Sequence, residues 1–225
     1  MKFKILHFPI IGCALLISML SNETLAQVGE KYLALGDSYT IGESVEVDKR
    51  WPVQLTKTLI ANGKMIDEPV IIATTGWRTD DLKNAIVNAR LKNEYDFVSL
   101  LIGVNNQFQG KSVDQYEIEF EDLLLSAITL AKGISGNVFV VSIPDYGYTP
   151  YGKARQIEIS KAIDHFNEVS EKVSRKHGVK YFYITDISRR GLDQADLVAA
   201  DGLHPSGKMY EVWVERISKT LIAKP

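Results

Sequence analysis

The chain has 225 residues, 45% hydrophobic and 24% charged, with a formal net charge of −2. That balance suits a folded domain with a sizeable core and excludes an intrinsically disordered chain. Without a basic excess, nucleic acid is not an expected partner, and a single cysteine, Cys13, excludes a disulfide scaffold.

At the N-terminus, Lys2 and Lys4 precede an apolar run from Ile10 to Leu20, and small residues follow at Thr24 and Ala26. This is the pattern of a secretory signal peptide over residues 1–26, cleaved after Ala26, and it predicts an exported protein, periplasmic or secreted. The run is too short for a comfortable membrane span. Ile10, Ile11 and Gly12 ahead of Cys13 resemble a lipobox, but the apolar stretch continues well past the cysteine, which favours simple cleavage over lipoprotein anchoring. Cleavage also removes Lys2, Lys4, Glu23 and Cys13, so the net charge moves from −2 to −3 and no thiol nucleophile remains.

From residue 28 to 225 one domain is expected. An apolar run at 31–36 ends in Leu35-Gly36-Asp37-Ser38-Tyr39, and Trp51, Leu55 and Leu59 then recur at helical spacing. A second run, 70–74, ends in Thr75-Gly76-Trp77-Arg78; a third, 96–102, ends in Ile102-Gly103-Val104-Asn105-Asn106. A helical stripe from Tyr116 to Ala131 leads to the fourth run, 137–143, and the aromatic segment Pro144 to Tyr151. Ile159, Ile163, Phe166, Val169 and Val173 mark a long helix before the fifth run, 180–185. The chain closes with Asp201-Gly202-Leu203-His204-Pro205 and a stripe of Met209, Val212, Trp213, Ile217 and Leu221. Continuous apolar runs alternating with amphipathic helices predict a parallel sheet buried on both faces, a three-layer α/β/α sandwich. In such sheets the functional loops lie beyond the carboxyl ends of the strands.

A serine hydroxyl is a weak nucleophile until a base takes its proton, and imidazole suits that role near neutrality. After the leader only His165, His177 and His204 remain; the first two fall in or at the end of the long predicted helix. His204 lies in a loop, with Asp201 three residues earlier. That spacing lets the carboxylate reach Nδ1 and leave Nε2 to accept from Ser38. The backbone N–H groups of Ser38 and Gly76 and the side-chain amide of Asn105 supply an oxyanion hole.

This ordered set resembles the four blocks of the SGNH hydrolase superfamily, the GDSL-like lipases and esterases. Ser38 in Gly-Asp-Ser matches the nucleophile block, Gly76 the glycine block, Asn105 the asparagine block, and Asp201 with His204 the closing Asp-x-x-His. The resemblance spans about residues 32 to 206 and implies a flavodoxin-like α/β/α fold with a five-stranded parallel sheet. It also implies a cofactor-independent carboxylic ester hydrolase: a short-acyl esterase, a lysophospholipase-like enzyme or a carbohydrate deacetylase acting on small-molecule or glycan esters. The chain departs from the family in one place, carrying Asn106 where the third block commonly has aspartate.

Rival readings are weaker. A non-catalytic carbohydrate- or surface-binding module on the same fold has no need of a base beside a hydroxyl. There is no Gly-x-Ser-x-Gly elbow and no metal-ligand spacing. Gly110-Lys111-Ser112 superficially resembles a phosphate-binding loop, but six residues separate Gly103 from Gly110 where that motif has four. Arg78 is a candidate partner for an anionic group, and the segment from Tyr146 to Tyr151 is a candidate lip of the cleft.

Overall fold

The computed structural model describes Met1 and residues 29–223; the expected signal peptide, its cleavage site and Cys13 lie outside the described residues. Each apolar run contains a strand: β1 Tyr32–Gly36, β2 Val70–Ala73, β3 Phe97–Leu101, β4 Val138–Val141 and β5 Lys180–Phe182. The strands form one five-stranded sheet in the order β2-β1-β3-β4-β5, with all four pairings parallel. Every residue of β1 is buried, because this strand has neighbours on both edges and helices over both faces. Val70 of β2 and Lys180 of β5 are exposed, as edge positions tolerate.

Among the described residues, eight α-helices surround the sheet: α1 Ser38–Ile41, α2 Trp51–Ala61, α3 Thr79–Ala89, α4 Val104–Phe108, α5 Val113–Leu130, α6 Gln156–Lys176, α7 Thr185–Ser188 and α8 Gly207–Ile222. Helices α2 and α8 pack together, while α3 packs on α5 and α5 on α6, giving the expected three layers. The α2 side of the core is aromatic: Trp51 meets Phe139 edge-on at 6.4 Å, and Phe139 meets Tyr32 and Phe182. Across the sheet, Tyr116 of α5 stacks obliquely on Phe166 of α6 at 4.7 Å. Among the described residues, no helix is long and apolar enough to cross a membrane.

Helix α3 was not evident from periodicity because, among its buried positions, only Leu82 and Ile86 are large and apolar. Two such residues do not make a stripe.

Strand order determines where chemistry can gather. The chain leaves β1 towards β2 on one side and crosses to β3 on the other, so a crevice opens beyond the carboxyl ends of these strands. Gly36 is level with Ala73 of β2 and Leu101 of β3. Ser38, Gly76 and Asn105 therefore follow two, three and four residues after the same level of the sheet.

Candidate active site

Asp37 turns the chain out of β1. Its Oδ1 accepts from the backbone N–H of Tyr39 at 3.0 Å and caps α1, which makes Ser38 the first helical residue, with an N–H that finds no acceptor within its helix. Asp37 is fully buried and its Oδ2 has no partner. Burial outweighs the bond from Tyr39 and pushes its carboxyl up to about 7.

The second and third strand ends are stitched into one unit. Gly76 has φ +85°, a left-handed conformation that a side chain would strain. Gly103, at φ +128°, begins α4 against Tyr116, whose ring lies 2.6 Å from where a Cβ would stand. Asn105 Nδ2 donates to the carbonyl of Trp77 at 2.9 Å. Asn106, only 2% exposed, accepts at Oδ1 from the Thr79 backbone N–H at 3.1 Å and donates from Nδ2 to Thr79 Oγ1 at 2.6 Å. The Thr79 hydroxyl in turn donates to Glu119 Oε2, which lies 3.5 Å from Asn106 Nδ2.

This explains the departure at position 106. The carboxylate of the network stands on α5 at Glu119, so position 106 must present a donor towards it. Asn106→Asp sets two carboxylates against one hydroxyl proton and is expected to cost about 1–3 kcal/mol of stability, with partial loss of turnover. Asn106→Asp combined with Glu119→Gln restores a donor and should recover most of both. Thermal unfolding and ester turnover measure this; a single variant as stable as wild type disproves it.

The histidine comes from the loop before α8. Ser206 caps α8 by accepting from Met209 N–H at 3.2 Å, which leaves Asp201 free of capping duty. Asp201 Oδ1 accepts from the backbone N–H groups of Leu203 and His204 at 2.9 and 3.0 Å. Its Oδ2 lies 2.6 Å from His204 Nδ1 and accepts from Ser44 Oγ, also at 2.6 Å. Partial burial opposes its charge, but the bonds from Ser44, His204 and the two backbone donors prevail and hold its carboxyl well below the usual range. The His204 ring also meets Tyr39 edge-on at 5.8 Å.

The two aspartates act on stability in opposite directions. Asp37, raised above its ordinary 3.8, contributes stability at low pH that is lost as pH rises towards 7. Asp201, depressed, contributes stability above that ordinary value that is lost as pH falls through its own lower one. Asp37→Asn retains an acceptor for Tyr39, so the variant should gain on wild type as pH rises from about 5 to about 8. Denaturant titrations across that range test it; a difference independent of pH overturns it.

Ser38, Gly76, Asn105 and His204 line one cleft of about 150 Å³. Val104, Phe108, Tyr146 and Leu203 make much of the remaining wall. Tyr146 is anchored by donating to Gln107 Oε1 at 3.0 Å and is nearly buried, whereas Phe108 and Tyr151 are 53% and 57% exposed at the rim. The aromatic segment thus divides: Tyr146 and Tyr151 face the cleft, and Tyr148 packs beneath the Arg189 guanidinium at 6.0 Å. Buried Asp145 holds the segment, accepting from Arg189 Nε and Gly147 N–H, both at 2.9 Å. Arg78 is engaged elsewhere, with both arms of its fork on Asp80 and Nη1 on Gln109, so it ties α3 to α4.

The other two histidines among the described residues lie away from the cleft: His165 is exposed on α6, and His177 closes that helix with Nε2 2.5 Å from Glu121. Ser112 of the phosphate-loop look-alike caps α5, accepting from Gln115 N–H at 3.2 Å. Another cavity of about 150 Å³, lined by Phe97, Phe139 and Leu221 among others, has neither serine nor histidine among the described residues of its wall. Among the described residues, no group of three or more His, Cys, Asp and Glu is placed to hold a metal ion. Sequence reasoning missed Ser44, Thr79 and Glu119, none of which carries a local signal.

A flavodoxin-like sheet whose first three strand ends, with one later loop, form this cleft defines the SGNH class of hydrolase folds. The chain belongs to the GDSL-like lipase/acylhydrolase family, whose model matches residues 34–212. It is 22% identical over 205 residues to an arylesterase from Vibrio mimicus, covering 88% of this chain and 90% of that protein. It is also 30% identical over 132 residues to a multidomain esterase from Ruminococcus flavefaciens. That match covers 57% of this chain. The chain spans only 17% and 16% of the lengths of the two curated relatives it matches at 33% and 30% identity. Among solved structures, a variant of an acetyl xylan esterase from Geobacillus stearothermophilus superposes with a TM-score of 0.69 at 20% identity, covering 87% of this chain and 95% of that one. At that identity the likeness speaks for the fold.

Proposed function

We propose that the protein is a carboxylic ester hydrolase that works through an acyl-enzyme on Ser38. The observation that carries this reading is the single cleft shared by Ser38, Gly76, Asn105 and His204, with the imidazole bonded through Nδ1 to Asp201. Ser38 Oγ attacks the carbonyl carbon while its proton passes to His204 Nε2. The carbonyl oxygen becomes an oxyanion, received by the N–H groups of Ser38 and Gly76 and the Asn105 amide. As the intermediate collapses, the ester C–O bond breaks and the alcohol leaves with the proton from His204. Water then repeats the sequence and releases the acid.

The cleft also bears on the substrate. Its volume of about 150 Å³ is well below the roughly 300–1,000 Å³ of pockets that enclose drug-sized ligands, which favours a short acyl group. Among the described residues its wall carries no lysine or arginine, which favours a neutral ester. Exposed Phe108 and Tyr151 offer flat apolar faces to the alcohol or sugar beyond. The name of one relative, an arylesterase, agrees with ester hydrolysis. Export through a leader at 1–26 completes the proposal; the mature chain should then begin at Gln27.

A fluorophosphonate ester probe, followed by peptide mapping, tests the nucleophile, and a series of chromogenic esters from acetate upward tests the acyl site. Covalent label on Ser38, with kcat/KM falling as the acyl chain lengthens, is expected. No label and no turnover would instead make the cleft a binding site on the same fold.

A further inference from the structure

We propose that Ser44 is a positioning residue of this site: its hydroxyl holds the Asp201 carboxylate, and through it the His204 imidazole, to the turn that follows the Ser38 helix. The inference rests on the esterase reading above and assigns a role to a residue outside the four sequence blocks. Helix α1 ends at Ile41, and Gly42 reverses the chain at φ +72°. Ser44 is a second left-handed residue, at φ +63°, and it carries a side chain. Serine in that conformation is strained where glycine is not. Strain of this kind persists where a surrounding contact maintains it, and here the contact is visible. Ser44 Oγ donates at 2.6 Å to Asp201 Oδ2, the oxygen that also meets His204 Nδ1.

The other donors to Asp201 come from its own loop, from Leu203, His204 N–H and the His204 ring. They fix the carboxylate relative to its imidazole but not relative to the nucleophile. Beside the edge-on contact of Tyr39 with the His204 ring, Ser44 supplies a hydrogen-bonded tie between the two segments, across 157 positions of sequence. The same turn also reaches the opposite wall, because the neighbouring Glu43 accepts from Thr75 Oγ1, one residue before Gly76. A single short turn thus tethers both the oxyanion loop and the Asp201–His204 loop to the segment bearing Ser38.

The test compares Ser44→Ala and Ser44→Gly in the full chain, with turnover of a short-acyl chromogenic ester, KM and thermal unfolding as readouts. Loss of one exposed hydrogen bond of ordinary net strength predicts a fall in kcat of roughly 3- to 10-fold in both variants, with little change in KM. Stability should separate them, because glycine relaxes at a left-handed position and alanine does not: Ser44→Gly melts higher than Ser44→Ala while remaining as slow. In an Asp201→Asn background, Ser44→Ala should add no further loss, since its effect passes through that carboxylate. Wild-type kcat in both single variants overturns the proposal, as does a loss that simply adds to that of Asp201→Asn. Normal turnover by Ser38→Ala would instead remove the esterase mechanism itself, so the two failures are distinguishable.

Discussion

If Ser38 is the nucleophile, Ser38→Ala is expected to lower kcat by roughly 10^4- to 10^6-fold, the scale of nucleophile deletions in serine hydrolases, without unfolding the protein. The fold should survive because the turn out of β1 is organised by Asp37, which caps α1 through the Tyr39 backbone, and alanine is a good residue for the first turn of a helix. The chemistry should not survive, because among the described residues there is no cysteine and no other serine lines the cleft. A small residual rate is expected from the remaining oxyanion donors acting on bound ester. Initial rates on a short-acyl ester, alongside the denaturation midpoint, decide the matter; near-normal turnover in a folded variant removes the mechanism.

Asn105→Ala should cost on the order of 10^2- to 10^3-fold in rate, as for loss of one oxyanion donor. The two amide hydrogens of Asn105 have different tasks. One is directed to the Trp77 carbonyl, which holds the Gly76 loop beside α4. In the proposed mechanism the other is left for the oxyanion, where it would gain strength only as charge develops. Because that bond belongs to the transition state, kcat and kcat/KM should fall together while KM stays nearly constant. Asn105→Asp, similar in size but without a donor and with a negative charge facing the oxyanion, should be slower still. An alanine variant with the wild-type rate would exclude the amide from the oxyanion site.

Much of the architecture was legible because both of its signals are local. Strands covered on two faces read as unbroken apolar runs, and all five were located by that criterion, each run extending slightly beyond the hydrogen-bonded ladder. Three of them end in polar or glycine residues that have no reason to cluster unless the sheet gathers them at one edge. Helix α3 shows no apolar stripe because polar and small residues make up most of its length. The contacts around the cleft were missed for another reason. Asn106 with Thr79, Thr79 with Glu119, and Ser44 with Asp201 lie 27, 40 and 157 positions apart, and no spacing rule announces a hydrogen bond of that reach. Arg78 illustrates the converse: a basic residue beside a candidate oxyanion loop invited an anion-binding role, yet Asp80 and Gln109 occupy its guanidinium.

The linear order of residues was enough to determine the kind of sheet, the family and which side chains are candidates for chemistry, because burial pattern and short motifs are properties of neighbouring residues. Only the folded chain decided how those side chains are held. Which carboxylate is charged, which arginine is spent on a neighbour, and which turn joins the two halves of the site depend on burial and on pairings between distant segments. Such pairings exist only after the sheet has brought those segments together.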